Sequence, residues 1–323
     1  MINSLPGIKL FDLNGKTAIV TGGSKGLGLA MAAGLASAGA NILIVNRTER
    51  DGEIAAEEIS KGFGVKALSF TADISKEEET KAMAAYAMEA FGRIDILINS
   101  AGINIRGAID EVSLEDFNKV MGINVTGTWL CSRAVVPHMK AQKSGAIINL
   151  ASTLGVVGLA NRTPYTSSKG AVVQMTRALG IEMAPFNIKV NAICPGPFLT
   201  EMNIPVADDP ATKQFIIGAT ALGRWGELKE IQGAAIFLAS DCVMAQKKLS
   251  LAWDTAMAPA PVANTVSTRI ISVSKPKAGI RGTIIDAVVT KATVEEPCAD
   301  FRAKAIAKGK NKLKFPAVII ELI

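Results

Sequence analysis

The chain of 323 residues is long enough for one large domain or two ordinary ones, and 49% hydrophobic with 20% charged residues is typical of a globular protein. His138 is the only histidine, which argues against a Ser-His-Asp hydrolase or a histidine-rich metal site. The net charge of +6 comes from the end of the chain, because residues 243–323 carry 13 basic and 6 acidic side chains, whereas the first 242 carry 22 basic and 23 acidic ones. We therefore expect no nucleic-acid partner for the main part of the chain.

The N-terminal segment MINSLPGIKLFDLNGKT lacks a basic start followed by an apolar run, so we expect no signal peptide. No stretch approaches the roughly 20 apolar residues of a membrane helix, so we expect no membrane partner. The four cysteines, Cys131, Cys194, Cys242 and Cys298, are scattered without a CxxC pair. This spacing favours reduced thiols, a cytoplasmic protein and no bound metal.

Apolar runs and helical patterns alternate along the first 240 residues. Buried strands are predicted from KTAIVTG (16–22), ANILIVN (40–46), VKALSFTAD (65–73), DILINSAG (95–102), GAIINLAS (145–152) and IKVNAICPG (188–196). Helices are predicted over 27–39, 55–64, 78–92, 114–140 and 165–186. The pattern indicates the α/β class, with a doubly wound, Rossmann-like parallel sheet covered by helices on both faces and a ligand at the carboxyl ends of its strands.

The sequence TGGSKGLG (21–28) follows the first strand and opens the first helix. Small residues at this turn let the backbone approach a pyrophosphate, and the helix N-terminus supplies free N–H groups. An ordinary glycine-rich turn is the alternative, but the position after the first strand favours a nucleotide site. The predicted binding residues in this loop are Thr21, Gly22, Ser24, Lys25, Gly26, Leu27 and Gly28.

The second strand ends at Asn46 and Arg47, where an acid would bind both ribose hydroxyls of NAD. Arg47 can pair with a phosphate instead, and Lys25 lies nearby in the glycine loop. Two solvated surface cations are the alternative interpretation. We therefore expect NADP as the cofactor, with NAD as the alternative.

Several motifs in this order resemble the short-chain dehydrogenase/reductase family over about residues 10–241. The glycine loop, the TAD segment with Asp73 and Ile74, the NSAG turn (99–102) and PGPFLT (195–200) are similar to the family's cofactor-binding motifs. The resemblance implies further cofactor contacts from Asn99, Ala101, Gly102, Tyr165, Lys169, Pro195, Gly196 and Thr200. It also implies a catalytic tetrad of Asn124, Ser152, Tyr165 and Lys169 and a homo-oligomer.

The chemistry of these residues suits hydride transfer between an alcohol and a ketone. Reduction of a ketone builds an alkoxide that needs a proton, and without a suitable histidine the Tyr165 hydroxyl can supply it. Its pKa would have to fall from about 10 toward neutrality, which the Lys169 ammonium and an oxidised nicotinamide ring could cause. Ser152 would hold the substrate oxygen, and Asn124 would position a water that links Lys169 to solvent.

The substrate end of the site is predicted from Asn104, Arg106, Arg162 and Phe198, and NIPVADDP (203–210) is predicted to be a mobile lid. The two arginines could bind a carboxylate or phosphate or simply be exposed. The segment around Arg106 is similar to that of gluconate and deoxygluconate dehydrogenases, which favours a sugar acid or polyol as the small-molecule substrate. The alternatives are a 3-oxoacyl-thioester reductase and a cofactor-binding protein without activity.

The pattern changes after Asp241, so we predict a catalytic domain over 1–242 and an atypical basic extension over 243–323. The family's last strand, with its VDGG-like ending, is not recognisable there, although GIRGTIIDAVV (279–289) has a loosely similar order. Without that strand the sheet would have an exposed edge, and the homo-oligomer would be in question. An alternative role for the extension is binding of nucleic acid or an acidic partner.

Overall fold

The computed structural model describes residues 6–210, 213–214, 220 and 222–242, and its centre is a parallel sheet. The strands are β1 (Thr17–Thr21), β2 (Asn41–Asn46), β3 (Ala67–Thr71), β4 (Ile96–Asn99), β5 (Gly145–Leu150) and β6 (Ile188–Ile193). They lie in the order β3-β2-β1-β4-β5-β6, and every neighbouring pair is parallel. The reversal of order between β1 and β4 confirms the predicted doubly wound α/β fold and places a ligand crevice at that point.

Helices cover both faces of this sheet. They are α1 (Gly26–Ser37), α2 (Glu49–Phe63), α3 (Glu77–Phe91), α4 (Leu114–Met121), α5 (Thr128–Gln142), α6 (Thr163–Met183), α7 (Ile204–Ala207) and α8 (Gln232–Ala239). Successive strand residues point to opposite faces, so Ala18 and Val20 join one core cluster with α1, α2 and α8. Ile19 joins a second cluster, with α3 and α5. Burial on both faces explains why the strands are continuously apolar.

The predicted helix over 114–140 is interrupted in the structure. A π-helical turn, Gly122–Gly127, separates α4 from α5 and contains Asn124. A Cβ atom at Gly127 would lie 2.6 Å from Cδ1 of Ile74, so glycine allows this turn to pack closely against the loop after β3. The prediction of one regular helix was therefore wrong at the turn, whose wider geometry often marks a functional site.

The end of the described chain packs back against the sheet. Residues Leu228–Ile231 form a 3₁₀ turn that begins with a capping box between Glu227 and Glu230 and leads into α8. Among the described residues, β6 pairs only with β5. The extension over 243–323 and the strand proposed within 279–289 lie outside the described residues, so the domain boundary near 242 stays a prediction. No helix in the described part is long and apolar enough to cross a membrane.

A buried row of polar side chains crosses the sheet beneath its carboxyl edge. Nδ2 of Asn99 donates to Oγ of Ser132 (3.1 Å) and to Oδ1 of Asn149 (2.8 Å), and Nδ2 of Asn149 donates to Oγ1 of Thr176 (2.9 Å). Thr176 in turn donates to the carbonyl of Val172 in α6 (2.7 Å). These hydrogen bonds join β4, β5, α5 and α6 at fixed positions, directly below the residues that follow the strands.

Asn149→Ala removes one side chain from the middle of this row and leaves buried polar partners without a hydrogen bond. We expect the free energy of unfolding to fall by about 2 kcal/mol, because an unsatisfied buried group loses its hydration without compensation. Urea denaturation followed by circular dichroism measures the change. Asn118→Ala, at an exposed position of α4, should change the value by no more than about 0.5 kcal/mol. Equal effects of the two substitutions would show that the row contributes nothing specific.

Candidate active site

A cleft of about 670 Å³ lies at the carboxyl edge of the sheet, where the segments after all six strands meet. The volume is within the range of small-molecule and cofactor sites. Most residues predicted from the sequence line it: Gly22, Ser24, Lys25, Gly26, Leu27, Gly28, Asn46, Arg47, Asp73, Ile74, Ala101, Gly102, Asn104, Arg106, Ser152, Arg162, Tyr165, Lys169, Pro195, Gly196, Phe198 and Thr200.

The glycine loop forms one end of the cleft. Gly22 and Gly26 have φ angles of +64° and +55°, which side chains rarely adopt. A Cβ at Gly22 would lie 2.8 Å from Cα of Ala101, and a Cβ at Gly28 would overlap the carbonyl oxygen of Gly22. No side chain caps the start of α1, so its first N–H groups have no side-chain acceptor. A bare backbone and a helix N-terminus that faces the cleft fit the diphosphate of a dinucleotide.

Two of the predicted cofactor residues, Thr21 and Asn99, do not line the cleft. Thr21 is fully buried, and its Oγ1 accepts hydrogen bonds from the N–H groups of Ser100 (3.2 Å) and Ala101 (3.3 Å). Asn99 lies in the buried polar row described above. These two side chains therefore support the turn that reaches the cleft, and their contact with a cofactor stays a prediction.

Charged groups surround the end of the cleft beside β2 and β3. Arg47 is exposed after β2, as predicted for a phosphate ligand. Burial raises the pKa of the Asp73 carboxyl, but hydrogen bonds from Ser75 and the charges of Lys76 and Arg47 outweigh it, so the pKa lies below its ordinary value. Asp73 is therefore ionised at neutral pH and is an acceptor at the nucleotide end. The cation predicted beside Arg47, Lys25, forms an ion pair with Glu201 at 3.1 Å.

The predicted catalytic side chains come together in the middle of the cleft. Tyr165 and Lys169 lie one turn apart in α6, and Nζ of Lys169 is 5.6 Å from the centre of the tyrosine ring. Lys169 donates a hydrogen bond to the carbonyl of Leu150, at the end of β5 (2.6 Å). Ser152 follows that strand, and its hydroxyl lies near enough to the Tyr165 hydroxyl to lower the pKa of the phenol. The serine and tyrosine oxygens can therefore contact the same substrate oxygen.

The protein alone does not lower the pKa of Tyr165. The predicted fall also requires an oxidised nicotinamide ring, so it stays a prediction for the cofactor-bound enzyme. Burial raises the pKa of this phenol, and the Ser152 hydroxyl offsets only part of the effect. Burial also lowers the pKa of Lys169 to about 8. Desolvation disfavours the charged form of each group. It therefore keeps the tyrosine neutral and lowers the fraction of Lys169 that carries the positive charge expected to favour the tyrosinate.

Asn124, predicted to position a water, lies behind the wall of the cleft and is fully buried. Its Oδ1 accepts from the N–H of Ile103 (2.8 Å), and its Nδ2 donates to the carbonyl of Ile103 (2.9 Å) and to Oγ of Ser168 (3.0 Å). Ser168 donates to the carbonyl of Tyr165 (2.8 Å). The observed role of the Asn124 side chain is to fasten the loop after β4 to the helix that carries Tyr165.

The predicted substrate residues occupy the other end of the cleft. Oδ1 of Asn104 is buried and has no hydrogen-bond partner in the structure. Arg106 and Arg162 are half-buried side chains that both line the cleft. Phe198 also lines it, but most of its ring is buried against Gly226 in the core. The phenylalanine therefore forms the floor of this region, and the polar side chains form its walls.

The sequence analysis missed four residues that contact the predicted site residues, namely Leu150, Ser168, Glu201 and Asn203. Backbone acceptors such as the carbonyl of Leu150 leave no signal in a sequence. Ser168, within the motif YTSSK, and Glu201, directly after the predicted Thr200, are polar residues whose positions could have been noticed. Asn203, whose Oδ1 lies 3.5 Å from a guanidinium nitrogen of Arg106, was assigned only to a lid. In the described part of the chain, no group of three His, Cys, Asp or Glu residues is arranged to hold a metal ion.

Comparison with protein families gives a match between residues 16–211 and the model described as short chain dehydrogenase. Among curated proteins, the 5-keto-D-gluconate 5-reductase of Escherichia coli K12 is 37% identical over 231 residues, which cover 72% of this chain and 91% of the relative. The 2-dehydro-3-deoxy-D-gluconate 5-dehydrogenase of Formosa agariphila is 37% identical over 234 residues, which cover 72% of this chain and 89% of the relative.

A solved structure extends the comparison to three dimensions. The gluconate 5-dehydrogenase of Burkholderia cenocepacia J2315, in complex with NADP and tartrate, is 35% identical and superposes with a TM-score of 0.71. The match covers 77% of this chain and 97% of that one. The similarity therefore includes nearly all of the relative and leaves out a part of this chain.

Gly28→Ala tests whether the bare backbone of the glycine loop matters for binding. The added methyl group would overlap the carbonyl oxygen of Gly22 and displace the loop. We expect the Kd for NADPH, measured by fluorescence titration, to rise at least about tenfold, since about 1.4 kcal/mol of binding free energy is enough for that change. Gly62→Ala, in α2 with no atom within 4 Å of the new Cβ, should leave the Kd unchanged. An unchanged Kd for Gly28→Ala would contradict the assigned loop.

Lys169→Met tests the cost of burying the ammonium. The pKa of Lys169 falls from 10.5 to about 8 on folding, so below pH 8 the folded protein holds a charge that burial disfavours. Above pH 8 the folded state loses this proton before the unfolded state does, and the cost is relieved. We therefore expect the variant to have a higher Tm than the parent at pH 7, and the difference to shrink by pH 9.5. A difference in Tm that does not change with pH would contradict the buried charge.

Proposed function

Because the chain belongs to the short-chain dehydrogenase family, we propose that it is an NADP-dependent oxidoreductase that interconverts a secondary alcohol and a ketone on a sugar acid. The observation that carries the proposal is the placement of Ser152, Tyr165 and Lys169 in one cleft with the glycine loop. The reacting group and a dinucleotide would then lie side by side, in the arrangement that direct hydride transfer requires.

In this mechanism the chain positions the substrate and moves a proton. The Tyr165 hydroxyl donates the proton to the carbonyl oxygen during reduction and accepts it during oxidation. Ser152, which lies beside that hydroxyl, holds the same oxygen in place. Bound NADP(H) supplies the hydride chemistry. Lys169, fixed by the carbonyl of Leu150, stabilises the tyrosinate and, with a pKa of about 8, can exchange a proton near neutral pH.

Asn124 has a positioning role in the proposal. Its hydrogen bonds to Ile103 and Ser168 keep the loop after β4 at a fixed distance from α6. A Cβ at Gly102 would lie 3.1 Å from Oδ1 of Asn124 and 3.6 Å from Nζ of Lys169. Asn124 therefore lies close enough to Lys169 to help place a water beside the ammonium, as the family resemblance implies.

The preference for NADP rests on the residues after β2. Arg47 is exposed there, and no acidic side chain occupies the position that would bind both ribose hydroxyls. A guanidinium can form two parallel hydrogen bonds with a 2′-phosphate. The relative from Burkholderia cenocepacia, solved with NADP, supports the same choice.

The choice of a sugar acid rests on the relatives and on the charge of the cleft. The two curated proteins compared above are named for keto-gluconate and deoxygluconate substrates. Arg106 and Arg162 line the substrate end, and cations there favour an anionic substrate over a neutral one. A 3-oxoacyl thioester, which the motifs also allow, belongs in the substrate panel that tests the proposal.

Tyr165→Phe removes the proposed proton donor while preserving the ring. With 5-keto-D-gluconate and NADPH we expect kcat to fall about 10³-fold, since a positioned acid contributes about 10² to 10⁴. NADPH absorbance at steady state measures the rate, and fluorescence titration should give an unchanged Kd for NADPH. Repeating the assay with NADH compares the two cofactors, and NADPH should give the higher kcat/KM.

The chain offers a matched control in Tyr86, its only other tyrosine. Tyr86 packs against Phe70, away from the cleft, at a ring distance of 5.2 Å. Tyr86→Phe should keep the activity of the parent. Full activity of Tyr165→Phe would overturn the mechanism. NADPH binding without turnover of sugar acids, polyols or acyl thioesters would show a cofactor-binding protein without this activity.

A further inference from the structure

Two arginines at the substrate end of the cleft have no acidic partner. Arg106 contacts the side-chain oxygen of Asn203 at 3.5 Å, and Arg162 donates to the backbone carbonyl of Asn161 at 2.8 Å. Neither forms an ion pair with a carboxylate among the described residues. By contrast, Arg93 pairs with Asp95, Arg133 with Glu77 and Arg224 with Glu230. Arg106 and Arg162, the two cleft arginines at the substrate end, therefore keep hydrogen-bond donors for a ligand.

The backbone holds these two arginines close together. The carbonyl of Asn161 accepts both the N–H of Gly107 (3.2 Å) and the guanidinium of Arg162. This contact fastens the loop that carries Arg106 to the start of α6. Asn161 adopts a φ of +59°, a left-handed conformation that asparagine tolerates better than most residues. The fold therefore holds the two loops next to each other through backbone contacts.

The charges of the pair oppose each other. Burial lowers the pKa of the Arg162 guanidinium, and the nearby Arg106 cation lowers it further. An arginine stays charged at any ordinary pH, so the two like charges remain close together. Among the described residues, the acidic side chains that line the cleft are Asp51 and Asp73, at the nucleotide end, and Glu201, which pairs with Lys25. An anion bound between the arginines would relieve this repulsion.

The position along α6 relates the pair to the reaction. Arg162 is the N-cap residue of the helix, and Tyr165 follows three residues later. Residues three apart lie on the same face of a helix, with Cβ atoms about 5 to 6 Å apart. Both line the cleft. If Arg162 holds the charged end of an extended substrate, a carbon farther along the substrate would therefore lie at the Tyr165 hydroxyl.

We propose that Arg106 and Arg162 together form a carboxylate-binding subsite that makes the enzyme select sugar acids over neutral polyols. Asn203, directly before α7, positions Arg106 and fastens the segment after β6 to the bound substrate. The subsite rests on the proposed function, because it names the part of the protein that would recognise the acid. Two guanidiniums can bind a carboxylate through several charge-assisted hydrogen bonds, which a hydroxyl group cannot replace.

Steady-state kinetics of Arg106→Gln and Arg162→Gln in the full chain test the subsite, with D-gluconate and D-sorbitol as substrates and NADP as cofactor. We expect each substitution to raise the KM for D-gluconate at least tenfold and to change kcat less than threefold. Any KM for D-sorbitol should stay within twofold of that of the parent. Arg162→Lys should give an intermediate KM, because it keeps the charge and loses the planar fork.

Arg177→Gln is the matched control, since Arg177 is a half-buried arginine of the same helix that lies outside the cleft and donates to Gln174. It should leave both KM values unchanged. Equal KM values for D-gluconate in the parent and both cleft variants would overturn the subsite and leave the proposed oxidoreductase intact. An equal rise in the KM for D-gluconate and for D-sorbitol would also overturn the subsite, because it would indicate a general distortion of the cleft.

Calorimetric titration of the full chain with D-gluconate separates the subsite from the proposed function. If no substrate of the panel is turned over, the proposed function fails, and the subsite is judged by binding alone. Binding of D-gluconate by the parent that weakens at least tenfold in both cleft variants, with an unchanged Tm, supports it. Absence of binding by the parent, or equal affinity in the variants, overturns it.

Discussion

The carboxamide of Asn124 makes the interaction on which the geometry of the catalytic region depends. It joins the backbone of Ile103, after β4, to the Ser168 hydroxyl in α6. Because Ser168 also contacts the carbonyl of Tyr165, the tyrosine is connected through three successive hydrogen bonds, by way of Ser168 and Asn124, to a loop from another strand. The π-helical turn places Asn124 at the required depth. A regular helix would carry this residue to a different angle around the axis.

Desolvation and positive charge act together in this cleft. Lys169 is buried, and its pKa near 8 shows how much the interior disfavours the ammonium. The cations Arg47, Arg106 and Arg162 line the same space with few acids beside them. In a site of low dielectric such charges interact strongly with anionic ligands. Phosphates at one end and a carboxylate at the other would therefore balance charges that the chain leaves unbalanced.

The sequence predicted the sheet and most of the cleft because both depend on local patterns. Apolar runs set the six strands, and their carboxyl ends had to meet at one edge. The interruption at Gly122–Gly127 could not be predicted, because it depends on packing against Ile74, which is distant in the chain. The same holds for Thr21 and Asn99, whose motif positions suggested ligand contacts although their side chains turn toward the protein. The raised pKa of Tyr165 depends on burial, which a motif does not report.

The close approach of Gly28 to the carbonyl of Gly22 has a consequence for how such a protein can evolve. At that contact the loop offers only backbone, so no side-chain replacement there can alter selectivity without displacing the turn. The side chains of Lys25 and Arg47 project from the same region and can be exchanged singly. Natural variation should therefore concentrate at these outer positions. A lineage could change its preference between NAD and NADP by one or two codon changes while the glycine loop stays constant.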